Sequence, residues 1–310
     1  MHSVARGLHY GRSGVSQWRA FCVYLRSEFW GSFMILLFGA GVECQVRLHY
    51  NDNDVNGAFG TYLSCRIAWG CGVALGAWAS GGISGGTYQR DLRQVISILV
   101  RWLYSPAAVT VAMALFRGFS WKRATRYIVA QILGCAFGSL VVYMLYRESI
   151  LSFEGGLPHS VSGMRSTAGL FFTRPAPSIS LLTAYMTEAI ATATLLFLVL
   201  AFGDTGNWAI PKGSMPVGLF LTVLGIGSSL GSNTGYALNP ARDSGPRLVL
   251  YLLGYGNDVW THDGGYWFFG GWCSTLLGAC LGVLLYDLCL YDGQDSALYT
   301  LHEPASVTLE

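Results

Sequence analysis

The residues best placed to do chemistry stand together at 235–247, GYALNPARDSGPR. Asn239 directly before Pro240 reads as a helix start. The asparagine side chain caps the first turn, and proline, with no N–H to leave unpaired, presets the first helical φ. Ala241 follows, then Arg242 and Asp243. What such a start can do is non-covalent. Its free N–H groups carry the positive end of the helix dipole, and Arg242 adds a permanent charge and a fork of donors. Donors of this kind suit hydroxyl oxygens or water, while the positive field turns protons and cations away. Asp243 leaves two readings that can both hold: it pairs with Arg242, or it braces the loop while Arg242 faces a lumen.

Two carboxylates join this set. Glu28 opens SEFWGSFMILLFG and Glu188 lies in TEAIATATLLFLVLAFGD. A carboxylate in a membrane segment is costly and marks a functional candidate. The predicted job is structural: accepting hydrogen bonds from irregular backbone of glycine-rich loops, which at membrane depth has no water to turn to. A proton relay would need further titratable groups nearby. Bond-breaking chemistry has no foothold, because no nucleophile–base pair, metal cluster or phosphate loop beyond generic glycines can be read. Neither a metal nor a cofactor is expected, and the chain reads as no enzyme. The eight cysteines are scattered through apolar stretches without a CxxC pair and read as small buried hydrophobes.

The elements that must hold these residues are membrane helices. Of 310 residues 52% are hydrophobic and 12% charged, against about 25% charged in a soluble domain. A net charge of +2 gives no case for nucleic acid. Six segments are long and apolar enough to span: roughly 27–48, 62–82, 125–146, 180–202, 214–231 and 267–290. The pairs Gly72/Gly76, Gly134/Gly138 and Gly278/Gly282 would let these helices approach closely. Two apolar pieces, 106–118 and 239–254, are too short to cross. Each follows a glycine-rich loop after the second span of its half, and each carries a Pro-Ala at its start. Matched interruptions of this kind point to a midplane site between repeats, and three spans per half force the second half to sit inverted. The fold class is therefore all-α integral membrane: six transmembrane helices plus two re-entrant half-helices in two inverted repeats. Arg90, Arg93, Arg101, Arg117, Lys122 and Arg123 lie between spans two and three, and the N-terminal tail is basic, so both termini are placed in the cytosol. A mitochondrial presequence is the other reading of that tail.

The run NPARD, in register with six spans and both carboxylates, resembles the second signature loop of the aquaporin superfamily, the major intrinsic proteins. The Asp after the Arg resembles its aquaglyceroporin branch, in a fungal-like form. The resemblance covers roughly 24–290 apart from 87–104. It is also carried by EFWGSF, AWGCGVALG, GGISG and VTVAMALFRGFSWKRATRYIVAQILG. It implies a channel domain over 24–290, with one repeat at about 24–147 and the other at about 180–290. A cytosolic tail at 1–23 and another at 291–310 flank it. It further implies a constriction built from Trp69, Gly227, Tyr236 and Arg242. Water-selective members resemble one another in a histidine where Gly227 stands. Glycine there would leave room for a carbon chain, with Trp69 and Tyr236 as an apolar wedge and Arg242 on the other side for hydroxyls. By itself Trp69 also reads as a packing aromatic.

The implied function is passive passage of glycerol and similar small uncharged polyols, with water, through a homotetramer in the lipid bilayer of the plasma membrane. The first signature loop departs from the family pattern SGAHLNPAVT, since SGG stops at Gly86 and SPAAVT comes eighteen residues later. Either Ser105 stands for the first asparagine, with Pro106 and Ala107 completing the motif, or Ala108-Val109-Thr110 sets the register and Pro106 takes the asparagine place. The intervening 87–104 has three readings: a retained in-frame intron or gene-model error, an amphipathic insertion on Leu92, Val95, Ile96, Leu99 and Leu103, or a diverged loop that spoils the pore. The alternatives to a polyol channel are thus a non-conducting homologue that acts as an assembly partner, and a water-selective channel.

Overall fold

A computed structural model of the chain describes residues 14–49, 58–81, 106–204, 206–207, 209–211, 213–293 and 296, with side chains from Leu25 onward. The regular elements among them are helices: α1 (Gly14–Leu48), α2 (Tyr62–Gly81), α3 (Ala107–Phe116), α4 (Trp121–Glu154), α5 (Leu181–Gly203), α6 (Met215–Leu230), α7 (Pro240–Leu250), α8 (Asp258–Tyr266) and α9 (Thr275–Cys289). Wide helical turns at Tyr251–Tyr255 follow α7, and others at Trp267–Ser274 lead into α9. Leu25–Leu48, Trp121–Glu154, Leu181–Gly203 and Asp258–Cys289 are each long and apolar enough to cross a bilayer. α2 has 20 residues, the length a crossing needs, whereas α6 has 16 and α3 has 10.

Lipid gives helices no hydrophobic reason to associate, so close backbone approach has to supply the attraction. α1 packs on α2 and α4, and α5 packs on α6 and α9. Small residues make both halves tight in the same way. Gly134 and Gly138 lay α4 on the α1 backbone at Phe29 and Phe33, while Gly278 and Gly282 lay α9 on α5 at Ala189 and Ala193. A Cβ on Gly138 would fall 3.0 Å from Leu36 Cβ, and one on Gly282 would fall 3.1 Å from Leu196 Cβ. This matched geometry is the repeat made visible. α2 and α6 then close the two halves on each other.

Both short helices are held from the opposite half as well as their own. α3 rests on α4 and α9, and α7 rests on α4 and the turns before α9. At the far end of α3, Arg117 caps the helix, and its Nη2 donates to Asp287 Oδ1 at 2.5 Å. A cation there also complements the negative end of the helix dipole.

Three boundaries differ from the sequence expectation. α1 begins at Gly14, inside the stretch read as a tail. α4 runs on to Glu154 before Gly155 ends it in the left-handed region at φ 66°. Residues 147–154 are polar enough to end a hydropathy window, yet Ile150 and Glu154 are buried and keep the helix going. The last span opens with wide turns, preceded by a break at Asp263, Gly264 and Gly265, all at positive φ. The insertion 87–104, Ser105 and the GGISG loop beyond Gly81 lie outside the described residues.

Candidate functional site

The two half-helices meet start to start at Asn239. Its side-chain oxygen accepts from the Ala241 N–H at 3.0 Å and also from the Ala107 N–H at 2.9 Å, so one acceptor serves both helix starts. The Asp243 N–H donates to Asn239 O at 3.3 Å, and the Thr110 N–H donates to Pro106 O at 3.0 Å. Pro106 therefore stands at the helix-start position that Asn239 holds in the second half. The register is set by Ala108, Val109 and Thr110, with Ala107 opposite Pro240. A proline offers no side-chain cap, and α3 has none from its own first residue.

Ahead of α7 the chain is forced into an unusual path. Gly235 has φ 83°, and the non-glycine residues Tyr236 and Leu238 have φ 43° and 53°. Left-handed backbone at side-chain-bearing residues costs energy and persists where the surroundings hold it. Here the holder is Glu188. Its carboxylate accepts from the Ala237 N–H at 2.9 Å, the Leu238 N–H at 3.3 Å and the Tyr266 hydroxyl at 3.0 Å. In the other half Glu28 accepts from Gln131 Nε2 at 2.8 Å, and the loop expected beside it lies outside the described residues.

Asp243 makes its hydrogen bonds to Thr173 and Arg247, with Arg242 farther off. Its Oδ1 accepts from the Thr173 N–H and hydroxyl, each at 2.7 Å, and its Oδ2 accepts from Arg247 Nε at 2.7 Å. Arg247 Nη2 in turn reaches Thr173 O at 2.7 Å, which ties the 155–180 connection to α7. Arg242 Nη1 stands 3.7 Å from Asp243 Oδ1 and has no hydrogen-bond partner among the described residues. The bracing role thus falls to Asp243, and the Arg242 fork keeps a free donor.

A cavity is lined by Trp69, Tyr236, Arg242, Pro106 and Asn239, together with Ala237 and Leu238. Its aliphatic walls come from Ile35, Val73, Leu195, Val199, Leu219 and Val223. Pro240, Ala241, Ala107 and Gly227 are not among its lining residues. Two details depart from expectation. Arg242 does not face Trp69 across a gap: its guanidinium carbon lies 4.2 Å from the centroid of the Trp69 ring, in stacking contact. The room beside Gly227 is also taken, because a Cβ there would fall 2.9 Å from Tyr236 Cζ and 3.1 Å from Arg66 Cδ. Arg66 pairs with Glu43, and neither residue was singled out from the sequence. The available signal was a charge inside each of the first two spans.

A bundle of apolar helices in which two short ones meet start to start beside a lined cavity fits a polytopic membrane channel. Residues 105–286 match the description "Major intrinsic protein", and the chain belongs to that family, whose members are passive channels and not enzymes. It is 41% identical over 272 residues to "Aquaporin-7-1" of Laccaria bicolor, covering 88% of this chain and 76% of that one. It is 41% identical over 280 residues to "Probable aquaglyceroporin-2" of Gibberella zeae, covering 90% and 75% respectively. In fold it is similar to the aquaglyceroporin from Plasmodium falciparum, with a TM-score of 0.68 at 24% identity over 91% of this chain and 98% of that one.

Proposed function

We propose that this aquaporin-family channel conducts glycerol and similar small uncharged polyols, with water, passively and in both directions. The observation that carries the reading is the mixed lining of the cavity: aliphatic side chains together with Arg242 and Asn239. A polyol has the same two characters. Its carbon backbone loses little against aliphatic walls, and its hydroxyls exchange water for fixed donors. An ion finds no replacement for its hydration shell there, and the half-helix dipoles oppose cations. In this reading Trp69, Gly227, Tyr236 and Arg242 form the narrowest ring. Pro106 and Asn239 mark the pore centre, with Ser105, Ala107, Pro240 and Ala241 beside them, while Glu28, Glu188 and Asp243 support the loops. The proposal extends to a homotetramer with one pore per subunit, in the plasma membrane, with 24–290 as the channel domain and both termini cytosolic.

Glycerol-driven swelling of vesicles carrying the chain tests this. Swelling faster than in empty vesicles, and lost in Arg242→Ala and in Asn239→Ala, is expected. Swelling no faster than in empty vesicles contradicts it.

A second reading has its own support. Pro106 leaves α3 without a side-chain cap of its own, and Arg242 lies on Trp69, so a non-conducting homologue that assembles with conducting relatives is the alternative. Removing 87–104 separates the two, since conduction gained by the deletion assigns the block to that insertion. A water-selective channel would show water flux without glycerol flux.

A further inference from the structure

Glu43 in α1 and Arg66 in α2 form an ion pair whose side chains are 24% and 6% exposed. Charges taken out of water are retained at a cost, which their partners or a function must offset. The partners of this pair are the candidate constriction itself. Glu43 Oε1 also accepts from Trp69 Nε1 at 3.0 Å. The Arg66 guanidinium carbon lies 4.3 Å from the Tyr62 ring centroid and 4.9 Å from that of Tyr236, so the cation is stacked between the two rings. The Tyr62 hydroxyl donates to Gly227 O at 2.9 Å. Trp69, Gly227 and Tyr236 are thus each touched by one cluster of Glu43, Tyr62 and Arg66.

The Tyr236 ring sits where a larger residue at 227 would project, and Arg66 closes on its face. Its hydroxyl is buried without a hydrogen-bond partner among the described residues, and its backbone is held at φ 43°. What fixes the ring is therefore contact: the bare backbone of Gly227 and the flat cation on its face. A guanidinium suits this role because it can stack on an aromatic face and hold a carboxylate at the same time, whereas an ammonium offers charge without a plane.

We propose that Arg66, clamped by Glu43, is the positioning residue that pins Tyr236 against Gly227 and so sets the size cut-off of this pore for uncharged solutes. The inference rests on the reading of the chain as a polyol channel. With the clamp removed, the ring is free to move and solutes longer than glycerol enter.

The test uses the full chain in vesicles and compares permeability to glycerol, erythritol and sorbitol in the wild type, Arg66→Ala and Arg66→Lys. Fluorotyrosine at position 236, read by fluorine NMR in the same proteins, reports the ring without transport. The expected result is a several-fold rise in the erythritol-to-glycerol ratio in both variants, with a shifted and narrowed fluorine signal. Wild-type ratios in Arg66→Ala overturn the proposal. So does a wild-type cut-off in Arg66→Lys alone, because charge without stacking would then suffice. A wild type that carries no polyol contradicts the function proposed above, and the positioning role then stands or falls on the fluorine signal. A signal unchanged in a monodisperse Arg66→Lys sinks it.

Discussion

Asn239 accepts a hydrogen bond from the Ala107 N–H at 2.9 Å, so the side chain that caps the second half-helix also serves the first. In a repeat whose other half begins with Pro106, this one oxygen is the joint between the halves. Buried N–H groups left without an acceptor each cost roughly 1–3 kcal/mol. Asn239→Ala deprives two of them, Ala107 and Ala241, and replaces a good capping residue by a poor one. The variant is expected to lose glycerol flux and to unfold at lower temperature in detergent, as read by a thermal melt of the purified protein.

Pro106→Asn probes the same joint from the other side. A side-chain cap at that position is worth about 1 kcal/mol to α3. The expected outcome is a higher melting temperature together with faster glycerol flux. A fall in both would mean that the proline is needed where it stands.

Glu188 holds three donors around the left-handed loop residues. Glu188→Gln keeps the shape but puts an NH2 group where one oxygen now accepts, and hydrogen bonds to charged groups are worth about 1.5–3 kcal/mol each. Glycerol and water flux should fall together in this variant, at unchanged expression, because the loop that lines the cavity is displaced. A selective loss of glycerol flux alone would argue for direct contact between Glu188 and solute.

Asp243 and Arg247 form a pair whose side chains are 0% and 3% exposed. Arg247→Met leaves Asp243 with the Thr173 bonds and Arg242 at 3.7 Å but without its hydrogen-bonded cation, and breaking a buried pair costs roughly 3–5 kcal/mol. Poor membrane expression and aggregation on solubilisation are expected, measured by size-exclusion chromatography. Asp243→Asn with Arg247→Met should recover part of the loss, because the carboxylate left without Arg247 is then neutral.

Much of this was readable from residue types. The helix start at Asn239 and Pro240 is local grammar, and Glu188 announced itself as a carboxylate in an apolar run. The matched glycine pairs likewise gave the close approach of α4 to α1 and of α9 to α5. The register of the first half-helix was not readable, because Ser105 and Pro106 fit the asparagine place equally well on paper. It takes the hydrogen bond from Thr110 to Pro106 to choose. The Glu43–Arg66 pair was missed because its meaning lies across helices. Each residue alone is one charge in a span, and only the fold sets them beside Trp69, Tyr62 and Tyr236. The same is true of Gly227, whose lost side chain suggested open space that Tyr236 in fact fills.

The central claim is that a cavity of aliphatic walls and fixed donors passes polyols. It is tested most directly by uptake of labelled glycerol into vesicles carrying the full chain, beside the same chain lacking 87–104. Uptake above empty vesicles in the full chain, abolished by Arg242→Ala, is the predicted result. Uptake at the level of empty vesicles in both chains would contradict the account.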